Sequence, residues 1–413
     1  MTVSGRPIPA TGAAEMLADL PSLTDPALYE RGDPYAVWAV LRRECPVSWH
    51  QSEEQSGYWA VTTYEPGLQV LTDWRRFTST KGVIVRPSMD TPYPGAGRML
   101  GMSDPPLHDR LRRPIAALFS SRAIAGLADR TRRTVRELLA AAVAAGECDF
   151  VSDVAAQIPL AVAGDLLAIE DDEVDRLARA IASAADNTND IDGAVAQKAH
   201  FDILRHYSRV MARRRQNPGG DVVSALIGAQ ADGVEITDAE IVVSCDNILG
   251  AASETTRHSA SVGLLTMLEN PDQWQALRDG RVPLRNATEE ILRWTAPVTH
   301  MLRVAKEDTV LDGVPIRAGD PLAVWIASMN RDESVFERAD EFLLHRPPSR
   351  YMTAFGGGVH YCLGAGLARL IISTLLEELA TLDAEIIVTG TPRRIASPVV
   401  GGLATLPVEF RRR

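Results

Sequence analysis

The segment Phe355-Gly356-Gly357-Gly358-Val359-His360-Tyr361-Cys362-Leu363-Gly364-Ala365 delivers one cysteine, through a glycine-rich turn, to the start of an apolar helical stretch. Three glycines let the backbone approach something flat. A thiol at a helix N-terminus meets free amide groups and the positive end of the helix dipole, which favour the thiolate and therefore metal ligation. Other side chains are spaced for joint action. His108 and Arg112 lie four apart and share a helix face, within reach of one anionic group. Glu290 and Arg293, three apart, read alone as a solvated pair worth a few tenths of a kcal/mol. Thr255 sits in a long apolar stretch, where its hydroxyl can bond back to the carbonyl of Ala251. Asn247 and Gly250 fall near the same helix face as Thr255.

A lone thiolate suits haem iron, and the Phe355–Gly364 string resembles the haem-binding signature of the cytochrome P450 family, with every fixed position present. The resemblance implies that Cys362 is the axial ligand of haem b. It also implies that Phe355 packs near the sulfur, that Gly356 lies against the ring and that His360 contacts a propionate. Glu290-Ile-Leu-Arg293 is similar to the family's Glu-x-x-Arg, which implies a buried pair completed by Arg346. His108-Asp-Arg-Leu-Arg112 and Arg303 match propionate-binding positions. Ala251-Ala252-Ser253-Glu254-Thr255-Thr256 resembles the acid–alcohol motif on the distal side, with Ala251 against the ring. Dioxygen reduction consumes two protons before the O–O bond breaks, and the resemblance gives their supply to Glu254 and their orientation to Thr255. Two positions depart from the pattern. Ala252 stands where glycine is commonest, and Met352 where many relatives place a further propionate-binding histidine.

These residues need a scaffold to position them. Thr237-Asp-Ala-Glu240 has capping-box spacing and opens an apolar pattern that continues to about Leu268. A helix of that length crosses a whole domain. Further helices are expected over Pro34–Leu41, Pro106–Leu118, Ser121–Ala145, Val154–Leu167, Asp172–Ala184, Ala194–Arg215, Asn286–Trp294 and Cys362–Leu382. Strands are few: a hairpin at Val47–Trp49 and Tyr58–Thr62, runs near Thr309–Val314 and Pro321–Ile326, and pieces near Ile386 and Leu406–Val408. Residues 82–103 read as an irregular loop and the first 30 or so as a surface arm. The expected fold is therefore mainly α with a small β portion, one domain over residues 1–413 of the P450 type. The haem would lie between the long helix and the cysteine loop.

Composition bounds the function. The chain has 413 residues, 46% of them hydrophobic, a net charge of -11 and a pI near 5.3, which disfavours nucleic-acid binding. No stretch reaches the length of a membrane span, and a cytoplasmic monomer is expected. The other cysteines, Cys45, Cys148 and Cys245, are isolated and read as small hydrophobes. Arg86, Asn247, Gly250, Val298, Thr299, His300 and Val400 are the candidate substrate walls, with Asn247, Arg86 and His300 as polar handles and residues 83–98 as a lid. No flavin or iron–sulfur motif is present, so electrons would come from NAD(P)H through a reductase and a ferredoxin or flavodoxin-type donor. Arg110, Arg113 and Arg369 would attract that donor. The resemblance implies monooxygenation of a small organic substrate, in secondary metabolism or catabolism. Oxidative coupling or desaturation on the same fold, and a non-catalytic haem carrier, remain alternatives.

Overall fold

A computed structural model describes the chain except for residues 1, 4–5, 8–16, 18, 53–54, 87–92, 94, 171–172, 174–175, 178–193 and 413. The expected helix 172–184 falls largely outside the described residues. Elsewhere the capping box at Thr237 forms as its spacing requires: Thr237 Oγ1 accepts from the Glu240 amide, and the Glu240 carboxylate accepts from the Thr237 amide. From it runs the central helix Asp238–Glu269, which at 32 residues is about 48 Å long. It packs against helices Ala194–Gln216, Leu284–Thr295 and Ala365–Thr381. Ile241, Leu249, Leu264 and Met267 sink into the main hydrophobic core with Leu111, Ile291, Ile371 and Leu375.

The β portion is a five-stranded sheet in the order Val47–Ser52, Gln55–Val61, Pro321–Val324, Met301–Ala305, Phe77–Thr78. Only the Gln55–Val61 and Pro321–Val324 pair is parallel among the pairings of that sheet. A smaller sheet joins Ala384–Val388, Pro407–Arg412 and Glu147–Asp149.

Several expectations shift. The Ser121–Ala145 stretch divides into helices Ser121–Ala125 and Ala128–Ala145 around Gly126-Leu127. The helix expected from Val154 instead starts as a π-turn at Val151–Ala155 and continues as Gln157–Ala163. Other helices escaped the pattern, among them Tyr64–Thr72, Val222–Ala231 and Pro271–Arg278. Pro66-Gly67 hides the Tyr64–Thr72 helix, yet Gly67 is there for packing, since a Cβ on it would sit 2.5 Å from the sulfur of Met329. The end of the supposed surface arm is folded in: Pro26–Glu30 is a helix, and Leu23, Leu28 and Tyr29 are buried against Trp38.

Candidate active site

Cys362 lies in the turn before the Ala365–Thr381 helix rather than at its first residue. The loop closes on itself through the Cys362 amide, which donates to the Phe355 carbonyl at 2.9 Å. Its path needs glycine. Gly356 and Gly358 have φ of +70° and +64°, and a Cβ on Gly358 would lie 2.8 Å from Cα of Thr72. Helix Tyr64–Thr72 thus backs the loop at backbone distance. The thiol differs from the sequence expectation. Burial pushes Cys362 up, against the opposing pull of the Gly364 amide and the Arg112 and Arg369 guanidinium groups. Burial therefore outweighs the helix end in this direction, and a metal bound at the sulfur would act the other way. Phe355 is half-buried under the Arg369 guanidinium, 4.5 Å from its ring centroid.

Beside the cysteine loop four nitrogen-bearing side chains converge. Arg112 Nη2 donates to the Tyr361 carbonyl at 2.7 Å, and the His108 and His360 rings meet edge to face at 4.6 Å. His360 Nε2 lies 3.1 Å from Ser79 Oγ, which in turn donates to Asp104 Oδ1 at 2.9 Å. Burial, and then repulsion from Arg303, His108 and Arg112, pushes His360 down to about 2. Arg303, on strand Met301–Ala305, is 4% exposed, and burial lowers it to about 10 despite the nearby Asp104. Its guanidinium forms no ion pair among the described residues and donates to the Leu302 carbonyl.

The central helix is buried around most of its girth but carries an accessible stripe. Asp246, Asn247, Gly250, Ala251, Glu254 and Thr255 are half-buried or exposed, at the three- and four-residue spacing of one helix face. Thr255 Oγ1 donates to the Ala251 carbonyl at 2.9 Å, toward the helix N-terminus. Glu254 turns the other way. Its Oε2 accepts from Arg257 Nη2 at 2.6 Å and lies 3.4 Å from His258 Nε2, one turn toward the C-terminus. Arg257 and His258 are both buried and are partners that sequence reasoning missed.

A family model described as cytochrome P450 matches residues 187–280 and 281–385. Cytochrome P450 NovI of Streptomyces niveus is 35% identical over 391 residues, covering 94% of this chain and 96% of the relative. The chain belongs to the cytochrome P450 family. A steroid C26-monooxygenase of Rhodococcus jostii is 31% identical, covering 94% of this chain and 84% of its own length. The solved P450 OxyD, involved in the biosynthesis of vancomycin-type antibiotics, superposes with a TM-score of 0.86 at 32% identity, over 95% of this chain and 100% of that one. The protein is thus a P450 monooxygenase, an oxidoreductase that incorporates oxygen from dioxygen, on the P450 fold.

The family's cofactor is haem, and the residues present fit it. His108 Nε2 is buried without a hydrogen-bond partner among the described residues. A buried, unpaired guanidinium at Arg303 is costly unless an anion joins it. Propionate carboxylates are anions of that kind. The single Cys362 thiol, with the Arg112 guanidinium acting on it, is the kind of donor that haem iron takes.

The P450 proximal knot forms around Glu290, which is 1% exposed. It accepts from Arg293 Nε and Nη2, both at 2.8 Å, from Arg346 Nε at 3.0 Å and from the Leu343 amide at 2.8 Å. The surface-pair reading of Glu290 and Arg293 is therefore wrong, and the buried reading right.

The substrate-wall residues fare unevenly. Val298 and Val400, both half-buried, are joined by a β-bridge. Thr299 donates to the Pro398 carbonyl and is turned away from a ligand role. His300 is no polar handle: it is wholly buried, with Nε2 accepting from the Val85 amide at 3.0 Å and Nδ1 donating to the Pro398 carbonyl at 2.9 Å. Arg86 is buried, its guanidinium 5.3 Å from the Tyr93 ring centroid. Nor are Arg110, Arg113 and Arg369 unmatched charges. They pair with Glu235, Asp109 and Glu289.

His300 has a consequence for acid stability. Burial lowers it from 6.5 to about 4, so between those values the unfolded chain binds a proton that the folded chain refuses. Its contribution is complete above pH 6.5 and fades as pH falls to about 4, a loss of about 3 kcal/mol. His300→Gln can keep both hydrogen bonds without titrating. Melting temperatures measured across this window should fall less steeply for the variant than for the parent.

Proposed function

We propose that this protein is a haem-thiolate monooxygenase that oxidises a small organic substrate, in which Cys362 is the axial ligand. The observation carrying this reading is the cluster of buried His108, half-buried Arg112 and buried Arg303, with no ion pair at Arg303 among the described residues, beside the Cys362 thiol. Haem, when bound, supplies the activation of dioxygen. The protein's own residues do the rest. His108, Arg112, Arg303 and His360 would hold the propionates, Gly356 and Ala251 would let the ring lie close, and Phe355 would shield the sulfur. Arg112 and Arg369 add positive potential near the thiolate.

Glu254 carries protons inward and Thr255 orients them. The two side chains point in opposite directions along the helix, so delivery requires the Glu254 carboxylate to leave Arg257 or to act through water. Thr255→Ala should therefore keep oxygen consumption while cutting product formed per NAD(P)H, with peroxide released instead. Glu254→Gln should slow proton-dependent turnover about a hundredfold. Equal product yield and turnover in all three proteins would remove both residues from the proton path.

Electrons come from NAD(P)H through a ferredoxin or flavodoxin-type donor that docks on the proximal face. Exposed Tyr361, adjacent to Cys362, and exposed Arg113 support that face. The protein is a single-domain cytoplasmic monomer; among the described residues no helix is long and apolar enough to cross a membrane. Similarity to the antibiotic-biosynthesis P450 OxyD supports a place in bacterial secondary metabolism. A carbon monoxide difference spectrum of the reduced protein tests the central claim: a thiolate-ligated Soret band supports it, and a histidine-like band refutes it.

A further inference from the structure

The central helix is tied to the Leu100–Met102 turn by two side chains. Ser244 Oγ accepts from the Leu100 amide at 3.2 Å, and Asn247 Oδ1 accepts from the Gly101 amide at 3.0 Å. The approach at Gly101 is close, since a Cβ there would meet Asn247 Oδ1 at 2.7 Å. This contact fixes which end of the Asn247 amide does what. A flipped amide would set one N–H against another, so the oxygen belongs to Gly101 and Nδ2 remains as a donor. No described residue accepts from Nδ2, and Asn247 lies on the accessible stripe above Thr255. Next to it, a Cβ on Gly250 would meet nothing within 4 Å, which leaves the stripe open.

Of the other polar side chains expected here, Arg86 is buried over the Tyr93 ring and the rest are spent. Thr255 donates to Ala251, and Thr299 and His300 bind Pro398. Val298 and Val400 contribute apolar wall.

We propose that Asn247 is a specificity-determining residue that presents a hydrogen-bond donor to the substrate, selecting compounds with a carbonyl or ether oxygen remote from the oxidised carbon. Eight residues separate Asn247 from Thr255, which at the helical rise is about 12 Å. The substrate is therefore an elongated, mostly apolar molecule whose acceptor oxygen lies on the order of 10 Å from the carbon that reacts. This rests on the monooxygenase reading above.

The decisive variant is Asn247→Asp, which retains an oxygen for Gly101 but replaces the donor by an acceptor. Rigid fused- and linked-ring hydrocarbons, each paired with its own ketone, serve as probes; bicyclohexyl and cyclohexylcyclohexanone are one pair. Binding is read as the Soret spin-state shift of the ferric protein. In the parent, ketones should outbind their hydrocarbons about tenfold, the worth of one hydrogen bond. Asn247→Asp should melt at the parent temperature and lose that preference, and Asn247→Leu should lose both the preference and part of the melting temperature. Retained ketone preference in Asn247→Asp overturns the proposal, as does a panel in which no ketone outbinds its hydrocarbon. The carbon monoxide spectrum reports separately on the haem-thiolate reading, which can stand while this one falls.

Discussion

Replacing Cys362 by serine abolishes monooxygenase turnover and removes the red-shifted Soret band that a thiolate gives the reduced, carbon-monoxide-bound protein. The reason is the acidity of the donor atom. A serine hydroxyl does not ionise in this buried setting, where even the thiol is pushed up. The fold should survive, because the loop is held by the backbone bond from residue 362 to Phe355 and by Gly356 and Gly358, none of which needs sulfur. His108, Arg112 and Arg303 also remain, so the variant should still take up haem, with a spectrum lacking thiolate character. Alanine at Cys45, Cys148 or Cys245 is the control. Burial raises all three thiols, Cys148 to about 11, and each variant should leave the spectrum unchanged. A Cys362→Ser protein with the parental carbon monoxide spectrum would falsify the ligand assignment.

What the sequence made legible follows from how local each cause is. The Thr237–Glu240 capping box, the glycines of the cysteine loop and the apolar period of the central helix are determined by neighbours in the chain, and they could be read directly. The family signature carried further, to Glu290, Arg293 and Arg346, which indeed meet in one buried knot. Partners distant in sequence stayed hidden. His300 looks like a pocket residue until Val85 and Pro398 claim its two nitrogens. Asn247 looks like a wholly free polar handle, whereas Gly101 takes its oxygen and leaves only Nδ2 to offer. Strand Met301–Ala305, which carries Arg303, was missed because its identity comes from pairing with Pro321–Val324 rather than from alternation of its own. At Cys362 the helix end is local and legible, whereas the burial that opposes it is a property of the assembled fold.

The second large effect is expected at Glu290, where a change of one atom removes a charge without changing shape. Glu290→Gln should destabilise the protein by about 3 kcal/mol or more, measured by chemical denaturation, and reduce the haem it retains. In the parent, both carboxylate oxygens are fully used, by two arginines and the Leu343 amide. The arginines extend the knot to the chain that leads into the cysteine loop. Arg293 Nη1 donates to the Asn330 and Ala339 carbonyls at 2.7 and 2.9 Å, and Arg346 donates to the carbonyls of Glu337, Arg338 and Glu341. With glutamine at 290, two cations face an amide in a place water does not reach, and the amide's own N–H groups point at donors. Arg346→Lys should cost less, because Arg346 is partly exposed and its lost bonds can be made to water. If the knot mattered only for the local helix, both variants would lower stability without affecting haem. Because it ties the Leu284–Thr295 helix to residues 330–346, and the Asn330 side chain in turn accepts from the Thr353 amide just before Phe355, slackening it should loosen the proximal loop. Haem loss in proportion to destabilisation across Glu290→Gln, Arg293→Lys and Arg346→Lys is the expected pattern, and full haem occupancy in a strongly destabilised Glu290→Gln protein would break the link between knot and ligand loop.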